Sequence, residues 1–104
     1  MKLPLDSTIA PEKLTHYLLV FNEQSDKSKF LEKGGYTLDN WEALEEDLRK
    51  LLNNEAVFQK EDTFGEYFII IGEIANGLNV KTIWLRESGS EVVRFITLIP
   101  MAKF

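Results

Sequence analysis

The sequence predicts an α+β fold in which two or three N-terminal helices pack on a four-stranded antiparallel sheet. Apolar residues recur at helical spacing in the first half of the chain, within residues 11–21 and 38–54. After residue 55 they become β-branched and aromatic and are separated by turn residues. The length of 104 residues fits a single domain, 1–104, with one core.

Two helices are predicted before residue 37. In "PEKLTHYLLVF", residues 11–21, Pro11 suits the first helical turn. Its apolar side chains follow the spacing i, i+3, i+4, i+7 at Leu14, Tyr17, Leu18 and Phe21. A shorter helix is expected in "SDKSKFLEKGGY", residues 25–36, with Ser25 as its N-cap.

The third and strongest helix is predicted in "LDNWEALEEDLRKLLNN", residues 38–54. Asp39 followed by Glu42 resembles a capping box, which stabilises a helix start by about 1 kcal/mol. One face of this helix is apolar and is formed by Trp41, Leu44, Leu48, Leu51 and Leu52.

Four strands are predicted within residues 56–60, 65–75, 79–87 and 92–100. Asn76-Gly77 is typical of a two-residue hairpin, which pairs Ala75 with Leu78. That register places Tyr67, Thr82, Trp84 and Arg86 on an outward face, and Phe68, Ile70, Ile83 and Leu85 under the helices. The last hairpin, "SGSE", leaves two registers open, and they exchange Arg94 and Thr97 between faces.

Composition narrows the classes of function. The absence of cysteine and of any long apolar segment predicts a soluble protein of a reducing cytoplasm, with no membrane partner. The net charge of −5, with the acidic residues concentrated in the middle, argues against a broad nucleic-acid surface. We find no motif for a metal or a cofactor and expect neither.

A few polar residues carry chemistry worth considering. His16, the single histidine, follows Lys13 by three residues on the first helix, so the two are surface neighbours. Lys27, Lys29 and Lys33 can supply phosphate contacts beside the sheet. Each also has a structural interpretation: a solvated helix face for the lysines and the histidine, and core packing for Tyr67 and Trp84.

The chain also resembles a family of small bacterial domains of unknown function. The resemblance is carried by "PEKLTHYLL", "KSKFLEKGGYTLDNWEALEEDLRKLL", "FGEYFIIIGEI" and "VKTIWLRESGSEVVRFITLIP". The matching positions are Lys13, Tyr17, Lys27, Trp41, Thr82, Trp84, Arg94, Thr97 and Pro100. The chain departs from the family pattern at Lys81, where Arg is usual, and in "FITLIP", which lacks a terminal tyrosine.

This resemblance implies a toxin-like ribonuclease fold. Such domains occur as stand-alone proteins, often cyanobacterial, or at the C-termini of polymorphic toxins, and they are similar to the barnase, colicin and RelE-like group.

Three functions are therefore open. The first is a binding role for the sheet face, through Tyr67, Thr82, Trp84 and Arg86. The second is metal-independent RNA cleavage, in which His16 or Lys13 handles the 2′-hydroxyl proton. The charged phosphorane is then stabilised by Lys27, Arg94 and Thr97. In the third, an antitoxin- or immunity-like partner, the acidic helix from Glu42 to Asp47 meets a basic protein. The partners expected are thus RNA or a basic protein.

Overall fold

The computed structural model describes residues 1–20 and 27–101. Its helices are α1 (Pro11–Lys13), which continues as a π-helix (Leu14–Leu18), α2 (Ser28–Glu32) and α3 (Trp41–Lys50). Its strands are β1 (Val57–Asp62), β2 (Gly65–Ile74), β3 (Leu78–Glu87) and β4 (Val93–Pro100). They form one antiparallel sheet in the order β1-β2-β3-β4, which confirms the predicted α+β class.

The helices lie between residues 11 and 53, in the middle of the chain and not at its N-terminus, so that part of the prediction is wrong. The residues before them follow the sheet edge. Thr8 forms a parallel bridge with Arg94. The Thr8 N–H donates to the Val93 carbonyl, and the Phe95 N–H donates to the Thr8 carbonyl, each at 2.8 Å. This pairing covers part of the free edge of β4.

The first helix buries Leu14 and Leu18 as predicted, but it buries Leu19 and leaves Tyr17 exposed. The Leu19 N–H donates to the Leu14 carbonyl five residues earlier, as in a π-helix, and Leu14, Leu18 and Leu19 are all buried. Tyr17 is consequently 68% exposed. Phe21 and Ser25, which the prediction also used, lie outside the described residues.

The third helix has the predicted face and a different cap. Leu44 and Leu48 are buried, and Trp41 packs against the same core. The chain enters through a 3-10 turn at Leu38–Asn40, where the Thr37 N–H donates to Asn40 Oδ1 at 2.7 Å. The predicted Asp39–Glu42 cap is therefore wrong, because the turn starts two residues earlier.

The β2–β3 hairpin has a three-residue turn, Ala75–Gly77, so Ile74 pairs with Leu78. Asn76 and Gly77 both take positive φ, 57° and 74°, as predicted, while the register is shifted by one residue. Phe68 pairs with Trp84 and Ile70 with Thr82. The predicted faces of β3 are therefore wrong, since a shift of one residue turns every side chain over.

A bulge in β4 settles the faces of Arg94 and Thr97. Thr97 pairs with Ile83, but Phe95 pairs with Trp84, so Ile96 is the extra residue. Because Arg94 pairs with Leu85, two residues from Ile83, Arg94 and Thr97 lie on the same face. Neither of the two predicted registers allowed this.

The core lies between the helices and one face of the sheet, which we call the inward face. The side chains it contributes include Phe68, Ile70, Val80, Trp84, Phe95 and Leu98. The opposite, outward face carries three central rows of paired residues across the strands, with Asp62, Gly65 and Glu87 beyond the first row and Glu73 and Asn79 beyond the third. The first row is Lys60, Tyr67, Leu85 and Arg94, the second is Val57, Ile69, Ile83 and Thr97, and the third is Ile71, Lys81 and Ile99.

Candidate functional site

Two of the predicted binding residues belong to the core. Thr82 and Trp84 are fully buried on the inward face. The Trp84 Nε1–H donates to Thr82 Oγ1 at 2.8 Å, and the Thr82 hydroxyl donates to the Ile70 carbonyl, also at 2.8 Å. Both polar groups are thus satisfied within the protein, and neither side chain is accessible to a partner.

Arg86, also predicted to bind, lies on the inward side at the end of β3. Its guanidinium lies 5.1 Å from the centre of the Phe68 ring, and its Nε is 3.4 Å from Glu66 Oε1 without forming a hydrogen bond. It also lines a cleft of 520 Å³ beside Ser7 and Thr8. Arg86 is therefore held by its own sheet, away from the outward face.

Tyr67 is the predicted binding residue that does lie on the outward face. The Lys60 ammonium lies 5.0 Å from the centre of its ring, close enough for a cation–π contact. Desolvation raises the pKa of Tyr67, and the nearby Asp62 carboxylate raises it further. The phenol is thus kept neutral, next to a cation, on a half-exposed surface.

Arg94 ends the first row and is half-exposed. Its Nε lies 3.3 Å from Glu87 Oε1, an ion pair within the β3–β4 hairpin. Trp84, which the sequence analysis placed on the outward face, and Arg94, whose face it left open, lie on opposite faces of the sheet.

Lys27 reaches the sheet from the start of α2. Its ammonium donates to Thr97 Oγ1 at 3.1 Å, across 70 residues of sequence. Partial burial lowers the pKa of Lys27, since desolvation disfavours the charged form. A cation is therefore fixed at the end of the second row.

The proposed catalytic set is brought together only in part. Lys27 and Thr97 are in contact, and Arg94 shares their face. Lys13 is half-buried and His16 exposed on the first helix. Among the described residues, no hydrogen bond or ion pair joins Lys13 or His16 to the other three.

The outward face carries an apolar surface that the sequence prediction missed. Val57 is 63%, Ile71 53% and Ile99 36% exposed, and Ile69 and Ile83 are partly exposed between them. Lys60 and Lys81 project from the same rows. The alternate positions Lys81, Ile83 and Leu85 could have indicated this surface. The face on which they lie, however, depends on the length of the β2–β3 turn.

The acidic side of α3 is largely neutralised within the helix. Arg49 lies 3.9 Å from Glu45, and Lys50 lies 3.9 Å from Glu46 and 3.7 Å from Asp47. These are exposed pairs at i, i+3 and i, i+4 spacing, which hold the acidic groups against cations of the same helix.

Over residues 1–20 and 27–101, no helix is long and apolar enough to cross a membrane. In the same part of the chain, no group of three or more histidine or carboxylate side chains is placed to hold a metal ion.

Comparison with known proteins found one match. A family model, described as a domain of unknown function (DUF6883), matches residues 5–102. No curated protein and no solved structure matches the chain.

Proposed function

The chain belongs to the DUF6883 family, a domain of unknown function, and we propose that its role is to bind an anionic partner on the outward face of its sheet. The observation that carries this proposal is the composition of that face. Lys60 and Lys81 lie among partly exposed isoleucines, with Arg94 beside them in its ion pair with Glu87, while the described helices pack on the inward face. An apolar surface with cations around it is typical of an interaction site.

Stability does not account for this arrangement. Apolar side chains left in water contribute nothing to the core, and they expose a soluble protein to aggregation. Leu85 is 3% exposed on this face, yet it stands apart from the core cluster. The outward face therefore packs locally and leaves an apolar surface open for a partner.

The test is amide NMR of the protein titrated with two polyanions in EDTA, poly-L-glutamate and a single-stranded RNA. We expect at least one to shift the amides of the three outward rows. Lys81→Glu should weaken that binding by about fivefold or more, because it reverses a charge inside the surface. Lys50→Glu, on α3, is the matched control and should leave the affinity unchanged.

Shifts confined to α3, or no shift with either polyanion, would contradict the proposal. Equal weakening by Lys81→Glu and Lys50→Glu would also contradict it, since that result reports only net charge.

A second candidate function is metal-independent RNA cleavage, and the contact between Lys27 and Thr97 favours it. Those two groups and Arg94 place two cations and a hydroxyl on one side of the sheet, as phosphorane stabilisation requires. In this proposal His16 or Lys13 supplies the proton transfer. The bacterial origin, the toxin context and the likeness to barnase, colicin and RelE-like ribonucleases remain implications of the resemblance and support this second candidate.

RNA cleavage is tested by incubation with RNA in EDTA, comparing the wild type with Arg94→Ala and His16→Ala. If the chain is a ribonuclease, Arg94→Ala should lower the rate by about a hundredfold or more through loss of a charge-stabilising group, and His16→Ala should do so where His16, not Lys13, transfers the proton. A rate equal to that of both variants would remove the enzyme hypothesis and leave the binding proposal standing.

The third function, in which the acidic helix meets a basic protein, has less support. The ion pairs of Arg49 and Lys50 take up three of its carboxylates, those of Glu45, Glu46 and Asp47. Its test is a salt-dependent pull-down with a basic protein, abolished by charge reversal at Glu45 and Glu46.

A further inference from the structure

We infer that the partner of the outward face is an amphipathic, acidic helix of another protein. This inference rests on the function proposed above and adds the chemistry and shape of the partner. It follows from how the apolar and cationic residues are distributed over the three rows.

The apolar residues are concentrated in the second row. Val57, Ile69 and Ile83 lie side by side across β1, β2 and β3, and Ile71 and Ile99 border them from the third row. Four strands spaced about 4.8 Å apart span about 14 Å. An α-helix rises about 1.5 Å per residue, so about ten residues of a helix cover this row. The apolar stripe of such a helix fits the row.

The cations lie on both sides of that row. Lys60 and Arg94 are at the two ends of the first row, Arg94 in its ion pair with Glu87, and Lys81 is in the third. Neighbouring rows are about 7 Å apart, so the first and third rows lie on either side of a helix of about 10 Å diameter. Lys27, held by Thr97, adds a further cation at the end of the second row. Carboxylates on both flanks of the partner helix would meet these groups.

Other occupants fit less well. A second copy placed face to face would bring Lys60, Lys81 and Arg94 towards the cations of the other copy, and like charges across an interface repel. Single-stranded RNA needs aromatic rings for its bases, and Tyr67 is the one aromatic residue in the three rows. Isoleucine and valine suit the leucine-rich stripe of a helix.

The probe is a synthetic helical peptide of about 14 residues, with a leucine stripe flanked by glutamates. Two matched peptides serve as controls: one with lysine in place of every glutamate, and one with the same composition in scrambled order. Fluorescence anisotropy of the labelled peptides gives the three affinities. We expect the acidic amphipathic peptide to bind at least about tenfold more tightly than either control.

Protein variants locate the site. Ile71→Ser and Lys81→Glu should each weaken binding of the acidic peptide by about fivefold or more. Val92→Ser is the control, because Val92 is 55% exposed but lies outside the three rows. The Lys81→Glu variant should also bind the lysine peptide better than the wild type does, a gain that a misfolded protein would not show.

Each outcome decides between the two proposals. If the scrambled or the lysine peptide binds as tightly as the acidic one, the inferred partner is wrong. If RNA shifts the outward amides and the peptide does not, the partner is a nucleic acid and the binding function stands. If sedimentation shows dimers that Ile71→Ser dissociates, the occupant is a second copy. If no probe perturbs the outward face, both proposals fail.

Discussion

At the scale of single residues, the Thr82 hydroxyl shows how this core satisfies its polar groups. It accepts from the Trp84 indole and donates to the Ile70 carbonyl, so one oxygen links two neighbouring strands. A fully buried threonine is costly unless its hydroxyl is used in this way.

Thr82→Val keeps the shape of the side chain and removes both hydrogen bonds. The buried indole N–H is left unpaired, and we expect the free energy of unfolding to fall by about 1–3 kcal/mol. Urea denaturation measures the loss. Thr63→Val, at an exposed turn, should change stability by less than about 0.5 kcal/mol, and equal effects at the two sites would contradict this role for Thr82.

Tyr36 links three parts of the chain through its phenol. The hydroxyl donates to Asp47 Oδ2 at 2.5 Å and accepts from the Ala75 N–H at 3.0 Å, joining α3 to the β2–β3 turn. Burial raises the pKa of Tyr36, and the hydrogen bond to Asp47 raises it further. The protein therefore holds the proton of Tyr36 more tightly than the unfolded chain does.

The free energy of unfolding, measured at alkaline pH, tests whether the folded protein keeps the Tyr36 proton. Above about pH 10 the unfolded chain loses the Tyr36 proton while the folded protein keeps it, so the free energy of unfolding falls as the pH rises. Below pH 10 this contribution is complete and constant. Tyr36→Phe should be less stable at neutral pH, by about 1–3 kcal/mol, and its stability should fall less steeply between pH 10 and 11. Parallel slopes for the two proteins would contradict the assignment.

At the scale of elements, the pairing of β2 with β3 depends on a close approach at Gly65. This residue has a φ of 143°, and a Cβ there would lie 2.1 Å from the Arg86 carbonyl oxygen. The start of β2 can therefore reach the end of β3 only with glycine at this position.

Gly65→Ala and Gly89→Ala form a matched pair. Both positions have positive φ, but a Cβ at Gly89 meets nothing within 4 Å. We expect Gly89→Ala to cost about 1 kcal/mol through backbone conformation, and Gly65→Ala to cost at least about 2 kcal/mol more because the strands must separate. Thermal unfolding measures both, and similar losses would show that the close approach is easily relieved.

At the scale of the whole molecule, the sheet has one face for stability and one for solvent. Ile70 is fully buried and Ile71 is 53% exposed, although they are neighbours on β2. The two faces therefore differ in their contribution to folding, and a partner can be exchanged on one without unfolding the other.

Alanine substitutions at Ile70 and Ile71 test whether only the inward face stabilises the fold. Ile70→Ala should lower the free energy of unfolding by about 2–5 kcal/mol, because it opens a cavity in the core. Ile71→Ala should lower it by less than about 1 kcal/mol. A loss of several kcal/mol at Ile71 would mean that the outward face is part of the core and is not available to a partner.

The candidate site was predictable only where it did not depend on register. Lys27, Arg94 and Thr97 were identified from their residue types and the family resemblance, and the structure brings Lys27 and Thr97 into contact. The accessible isoleucines were missed, and Thr82 and Trp84 were assigned to the wrong face. Both errors have one source, the length of the β2–β3 turn.

Local patterns in the chain were sufficient for the helix–sheet composition, the apolar face of α3 and the positions of the four strands. Spacings of 3.6 and 2 residues are properties of neighbouring positions and can be read without knowing the fold. The turn at Ala75–Gly77 is tied to a distant segment, since the Ala75 N–H donates to the Tyr36 hydroxyl and Asn76 Nδ2 donates to the Lys33 carbonyl, and the bulge at Ile96 belongs to the pairing of β4 with β3. The Trp84 indole needs a buried acceptor, and the inward face must fill the space beneath the helices. Those requirements exist only after the helices and the sheet have met, and they determine which side chains of β3 and β4 face water.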